Sequence, residues 1–342
     1  MEAISKLGFV KLQKNNLFWI LLLFVFYFIS SPVIADIRGL EWKGPRQKIS
    51  TPFLQGNYRA IVIGNNVYKD KSGTWKHLKT AVKDAESVAH VLKEKYGFEV
   101  SLLKNVGRRE ILVALNDLSR RVDPNDNVLI YYAGHGHLDE ETNRGYWIPV
   151  DAIGKDNTTF IRNSTIRDEI SIIAEKTKHT LLISDSCFSG SLLRGGNRAI
   201  KETEKTNPYY VKVSNKKSVQ ILAAGGVEYV DDNYKGSGHS PFTYFLLNEL
   251  NNNLESLLTM SELATNVIKA VANNVEQTPE AGVLQGAGDE LGEFIFARIT
   301  VKDNIVEIFT GKVNPPKRKE IPTPATEAVP AKKESFAPLP RF

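Results

Sequence analysis

NVLIYYAGHGH, residues 127–137, decides how this chain folds. Val128 to Ala133 is an unbroken apolar run that stops at Gly134, the pattern of a strand buried on both faces, as in parallel sheets covered by helices. The pattern recurs in YRAIVIG (58–64), FEVSLLKN (98–105), HTLLISDS (179–186) and SVQILAAG (218–225). Between the first strands lie TAVKDAESVAHVLKEKYG (80–97) and RREILVALNDLSRRV (108–122). The first puts Val82, Ala85, Val88, Ala89 and Leu92 on one helical face and is closed by Gly97; DPND (123–126) stops the second. GYWIPVDA (145–152) reads as a short strand or hairpin, 164–178, 240–250 and 261–275 as helices, and GEFIFARI (292–299) as a last strand. Strands alternating with helices of this length predict an α/β fold, a mostly parallel sheet with helices on both faces.

The organisation expected is one folded domain over 57–299 with different material at each end. Residues 1–35 place Lys6, Lys11 and Lys14 before the thirteen apolar residues LFWILLLFVFYFI (17–29), then Ser30, Ser31, Pro32 and a small residue, Ala35. That is the layout of a secretory signal cut before Asp36, which predicts an exported protein, periplasmic or secreted. The alternative is an uncleaved anchor over 17–35, although thirteen residues fall short of the ~20 that span a bilayer. Residues 300–342 are polar, with seven prolines after 313, and read as a disordered tail. The net charge of +5 falls to +3 without residues 1–35, too little and too dispersed for a nucleic-acid-binding face.

Cys187, in LLISDSCFSG (181–190), is the one cysteine of 342 residues, so it forms no internal disulfide. It follows one strand end, and His135, between Gly134 and Gly136, follows another. In a parallel sheet both lie at the carboxyl edge, where functional crevices form. A free thiol is only a few per cent thiolate at neutral pH, and an imidazole in contact takes its proton and later returns it to a leaving amine. Glycines beside the histidine let a substrate backbone approach, and N–H groups there suit a tetrahedral oxyanion.

YYAGHG followed some fifty residues later by DSCFSG resembles the caspase-like cysteine peptidases, in particular the metacaspase and bacterial orthocaspase branch. AIVIGNNVY (60–68) with LKTAVKDAESVAHVL (78–92), and QTPEAG…GEFIF (277–296), are similar to the opening and close of that fold. The resemblance covers about 58–298. It implies a three-layer α/β/α sandwich with a six-stranded sheet, His135 as general base, Cys187 as nucleophile, and the amides of Gly136 and Cys187 as the oxyanion hole. Two features depart from the pattern. Phe188 stands where metacaspases commonly carry histidine, and the arginine-lined aspartate pocket of animal caspases is absent.

Asp185 lies two residues before Cys187 and shares its face in an extended strand. A carboxylate beside a nucleophilic thiol opposes thiolate formation, and makes sense as the partner of a cation. The expected substrates are therefore proteins or peptides cut after arginine or lysine. The metacaspase resemblance implies the same pocket and adds Asp84 as a second wall; Glu228, Asp231 and Asp232 are further acidic candidates. The long basic segment 191–217 offers Arg194, Arg198, Lys201 and Lys205 as self-cleavage sites, or is a solvated loop. His137 flanks the site, and His239 precedes or begins a helix. No cofactor is called for, although HLDEE (137–141) offers carboxylates for calcium, which activates some metacaspases. The other functions open to this chain are a caspase-fold binding or scaffold protein of little turnover, and a cysteine acyl transferase.

Overall fold

Val128, Ile130 and Tyr132 face one side of their strand and Leu129, Tyr131 and Ala133 the other, and all six are buried in two separate apolar cores. A strand buried on both faces needs a layer on each, and the computed structural model supplies both. The structure describes residues 54–187, 192, 207–225, 233–284, 286–302 and 305–308. The leader read in 1–35 and the tail beyond 308 lie outside them.

Along the chain, β1 (Tyr58–Gly64) leads to α1 (Ala81–Tyr96), β2 (Glu99–Lys104), α2 (Arg108–Arg121) and β3 (Asn127–Ala133). β4 (Gly136–Asp139), β5 (Arg144–Trp147) and β6 (Ile161–Arg162) form a small antiparallel sheet before α3 (Asn163–Glu175) and β7 (His179–Asp185). Then come α4 (Asn207–Ser214), β8 (Ser218–Ala223), α5 (Pro241–Asn252), β9 (Leu257–Thr259), α6 (Met260–Ala272), β10 (Glu280–Val283), β11 (Ile295–Ala297), β12 (Ile299–Lys302) and β13 (Ile305–Ile308).

The main sheet has the order β10-β8-β7-β3-β1-β2, parallel throughout except for β10. On one face Val62, Leu129, Leu181 and Leu222 meet Val88 and Leu92 of α1, Phe242 and Leu246 of α5, and Leu263 and Val267 of α6. On the other, Ile61, Ile130, Leu182 and Ile221 meet Ile111 and Leu115 of α2 and Ile166 and Ile170 of α3. Each fully buried side chain of this size contributes ~1.5–3 kcal/mol against its exposed state. The expected three-layer α/β/α sandwich with a six-stranded, mostly parallel sheet is the one observed. Among the described residues no helix is long and apolar enough to cross a membrane.

Four details differ from the sequence reading. The sixth strand is β10, four residues of mixed polarity at the sheet edge, which carry no apolar signal. The apolar stretch 292–299 instead contributes Ile295–Ala297 to a two-stranded ribbon with β9, where Phe294 and Phe296 fill the core under α1 and α6. Within 191–217, read as a loop, α4 forms because Tyr210 and Val213 find an apolar seat against Leu54, Ile295 and Ala297. Within the expected tail, β12 pairs with β13.

Candidate active site

β3 and β7 are neighbours in the middle of the sheet, paired from Asn127↔His179 to Ala133↔Asp185. His135 and Cys187 each lie two residues beyond that last matched pair, and the Gly134 N–H still reaches the Asp185 carbonyl at 3.3 Å. The two chains stay together past the strand ends. A Cβ placed on Gly136 would stand 2.0 Å from the Cys187 carbonyl oxygen and 3.3 Å from its nitrogen. Only glycine fits there, and its smallness is what lets the His135 loop press against the backbone of Cys187. The Cys187 side chain is half-buried. Burial, and after it the charge of Asp185, push its thiol above the ordinary value.

The loop after β1 builds the other side of His135. Its Nε2 lies 2.8 Å from the Lys76 carbonyl, and its backbone N–H donates to the Tyr68 hydroxyl at 2.8 Å. A carbonyl only accepts, so the neutral ring holds its proton on Nε2 and keeps Nδ1 as its basic nitrogen. Tyr68 and Trp75 pack on the imidazole at 4.7 and 5.7 Å between ring centroids. The loop is tied by Asp70, which accepts from the N–H groups of Ser72, Trp75 and Gly154, each at 3.1 Å, while the Trp75 indole donates to the Gly154 carbonyl at 2.8 Å. Those hydrogen bonds, led by the Ser72 hydroxyl, hold Asp70 well below the usual carboxylate range.

Asp185 and Asp84 come together on the same face of the sheet, below Cys187. Asp185 Oδ2 accepts from Ser240 Oγ at 2.5 Å and from Thr243 Oγ1 at 2.6 Å. Asp84, on α1 and 1% exposed, receives the Ser240 N–H on Oδ2 at 3.3 Å and faces His239 Nδ1 across 2.6 Å from Oδ1. Ser240 is also the N-cap of α5, accepting from the Thr243 N–H, with Pro241 in the first turn, so the positive end of that helix points at the pair. Burial first, and then the neighbouring Asp84 charge, push Asp185 up to about 7 against the pull of both hydroxyls. Burial raises Asp84 as well, opposed mainly by His239.

Of the other candidates, Glu228, Asp231, Asp232, Arg194, Arg198, Lys201, Lys205 and Phe188 lie outside the described residues. His137, on β4, packs against Trp75, Tyr146 and Phe160. In the acidic segment 137–141, Asp139 accepts from the Thr142 N–H, and among the described residues no group of three or more His, Cys, Asp or Glu converges as metal ligands. The sequence reading left Tyr68, Trp75, Ser240 and Thr243 without roles. HSPFT carried a readable helix-start signal, whereas the Lys76 carbonyl, being backbone, carries none.

A match to the caspase domain of peptidase family C14 spans residues 57–285. Metacaspase-6 of Arabidopsis thaliana is 28% identical over 163 residues, 43% of this chain and 42% of that protein. Metacaspase-4 of the same plant is 29% identical over 159 residues, 43% and 37% of the two chains. The chain thus spans about two fifths of the length of these curated relatives. Among solved structures, caspase-1 from Spodoptera frugiperda is similar at a TM-score of 0.47 and 16% identity, over 67% of this chain and 89% of that one. With the match running from the strand that opens the sheet to the strand that closes it, the chain belongs to the caspase-like family, alongside the metacaspases.

Proposed function

We propose that this protein is a cysteine endopeptidase that cuts after arginine or lysine, with Cys187 as nucleophile and His135 as general base. The observation that carries the reading is the juxtaposition of the two residues, two positions beyond the Ala133↔Asp185 pair, with Gly136 seated on the Cys187 carbonyl. With the thiol raised by its burial, attack and proton transfer go together. Sγ bonds to the scissile carbonyl carbon as its proton passes to Nδ1 of His135, and the Lys76 carbonyl holds the resulting imidazolium by its Nε2–H. The amides of Gly136 and Cys187 are the donors assigned to the oxyanion. Collapse of the tetrahedral adduct breaks the C–N bond, and His135 gives its proton to the leaving amine. Water, deprotonated by His135, then hydrolyses the thioester.

Asp185, partly exposed and bonded among the described residues to hydroxyls alone, supports the preference for a basic side chain; Asp84 adds negative charge behind it. The layout of residues 1–35 supports export, which N-terminal sequencing of the mature protein tests. For the activity, the protein and its Cys187→Ala and His135→Ala variants are assayed on peptides differing only in Arg, Lys, citrulline or Asp before the scissile bond. Cleavage after Arg and Lys, lost by about 10³-fold or more in both variants, is expected. Cleavage only after Asp would overturn the pocket, and turnover retained by Cys187→Ala would overturn the dyad. An added amine acceptor, followed by product analysis, separates hydrolysis from acyl transfer.

A further inference from the structure

The mechanism leaves His239 without a task, although it makes one of the shortest polar contacts of the site. Asp84 and Asp185 belong to different elements, α1 and β7, and one residue ties them. Ser240 gives its N–H to Asp84 and its hydroxyl to Asp185. Two carboxylates gathered in this way oppose each other's ionisation, and water reaches the inner one hardly at all. His239 answers from the far side of Asp84, at 2.6 Å, with side-chain exposures of 16% for His239 and 1% for Asp84. A carboxylate and an imidazole so sheltered interact with less screening than a surface pair.

Among the described residues, the titratable and charged groups around it come from several neighbouring elements. α1 contributes Asp84 and Lys83, whose Nζ is held by the Ser237 carbonyl at 3.3 Å. β7 contributes Asp185. β3 contributes Tyr131, bonded to the Thr243 hydroxyl at 2.6 Å. The segment before α5 contributes Tyr234, whose N–H reaches the His239 carbonyl. Among the described residues bonded to this acid pair, His239 is the one able to carry positive charge against it.

We infer that His239 is a specificity-determining residue. Its imidazolium is the countercharge of Asp84, which leaves Asp185 to ionise for an incoming cation and sets the pH range over which the pocket prefers a basic side chain. The inference rests on reading Asp84 and Asp185 as that pocket. Asp84 is then the fixed anchor of a His–Asp pair, and Asp185 Oδ1, outside the Ser240 and Thr243 bonds, is the atom that meets the substrate.

The test uses His239→Gln, which keeps a hydrogen-bond donor near Asp84 but carries no charge. Two quantities are read. One is the titration of the Asp185 carboxyl by ¹³C NMR without substrate, expected to move up by about one pH unit in the variant. The other is the ratio of kcat/KM for arginine and citrulline peptides against pH, in which the ionisations of Cys187 and His135 cancel. That ratio is expected to fall about tenfold near pH 6.5 and recover by pH 8.5. Adding Asp84→Asn should return the Asp185 titration to or below that of the unaltered protein. An Asp185 titration unmoved by His239→Gln overturns the inference whatever the enzyme does. A titration that moves while neither protein prefers arginine at any pH overturns the basic pocket and leaves the countercharge standing. Should His239→Gln not fold, His239→Asn takes its place with the same two readings, and an Asp185 titration unmoved in it overturns the inference.

Discussion

Replacing Asp185 by Asn tests the link between the pocket and the thiol, and predicts two effects of opposite sign. Asp185 is pushed from 3.8 up to about 7. At ~1.4 kcal/mol per pH unit, holding it ionised without a cation beside it costs about 4 kcal/mol near the usual carboxylate range. A cation set against it recovers much of that; solvent at the partly exposed cleft mouth reduces the gain to about 3 kcal/mol, or ~10²-fold in kcat/KM. Asp185→Asn should therefore bring the arginine-over-citrulline ratio from about 10² to near unity. The same carboxylate raises the Cys187 thiol. Its removal should lower that thiol and speed alkylation by iodoacetamide at pH 7 several-fold, read beside a thermal melt that shows the variant is folded. The assays are kcat/KM on the paired peptides and the pH profile of alkylation. A variant that keeps more than a tenfold preference for arginine, or whose thiol reacts more slowly than before, would refute the reasoning.

Gly136→Ala places a methyl 2.0 Å from the Cys187 carbonyl oxygen, a backbone atom that cannot swing aside. The loop must move, and kcat/KM should fall by about 10²-fold or more, read beside a thermal melt. Asp70→Ala releases three N–H bonds that brace the loop carrying the Lys76 carbonyl. It should lower kcat about tenfold with KM nearly unchanged, and an equal rise in KM would assign the loop to substrate binding instead. His179, buried at the opposite end of β7, is held down to about 4 by burial. Between pH 4 and 6.5 the unfolded chain then binds more protons than the folded one, so stability rises with pH across that window and is lost as pH falls, by about 3 kcal/mol in all. Asp185, raised rather than lowered, contributes with the opposite sign. The difference between urea midpoints of the protein and His179→Gln at pH 4.5 and 7 isolates the histidine.

Continuous apolar strands are legible because burial on both faces leaves a mark on every residue of the strand, as in 127–133 and 179–185. Their ends are legible for the same reason. Where the run stops at Gly134 and at Asp185, the chemistry that follows, His135 and Cys187, lies at one edge whenever the two strands are parallel neighbours. The edge strand β10 left no such mark, since four residues with one open side need no apolar pattern. The apolar run at 292–299 misled in the other direction, because its side chains fill a core beside the sheet without joining it.

The sequence by itself determined the fold class, the place of His135 and Cys187 just past two strand ends, and the presence of a carboxylate beside the thiol. Each rests on local periodicity or on spacing along one strand. Tertiary structure alone decided what those groups touch. His135 meets a carbonyl 59 residues away, Asp185 meets hydroxyls 55 and 58 residues away, and Asp84 meets an imidazole 155 residues away. A hydrogen bond constrains two atoms and leaves no period in the chain, so contacts of this kind become visible only once the sheet has brought its strand ends together.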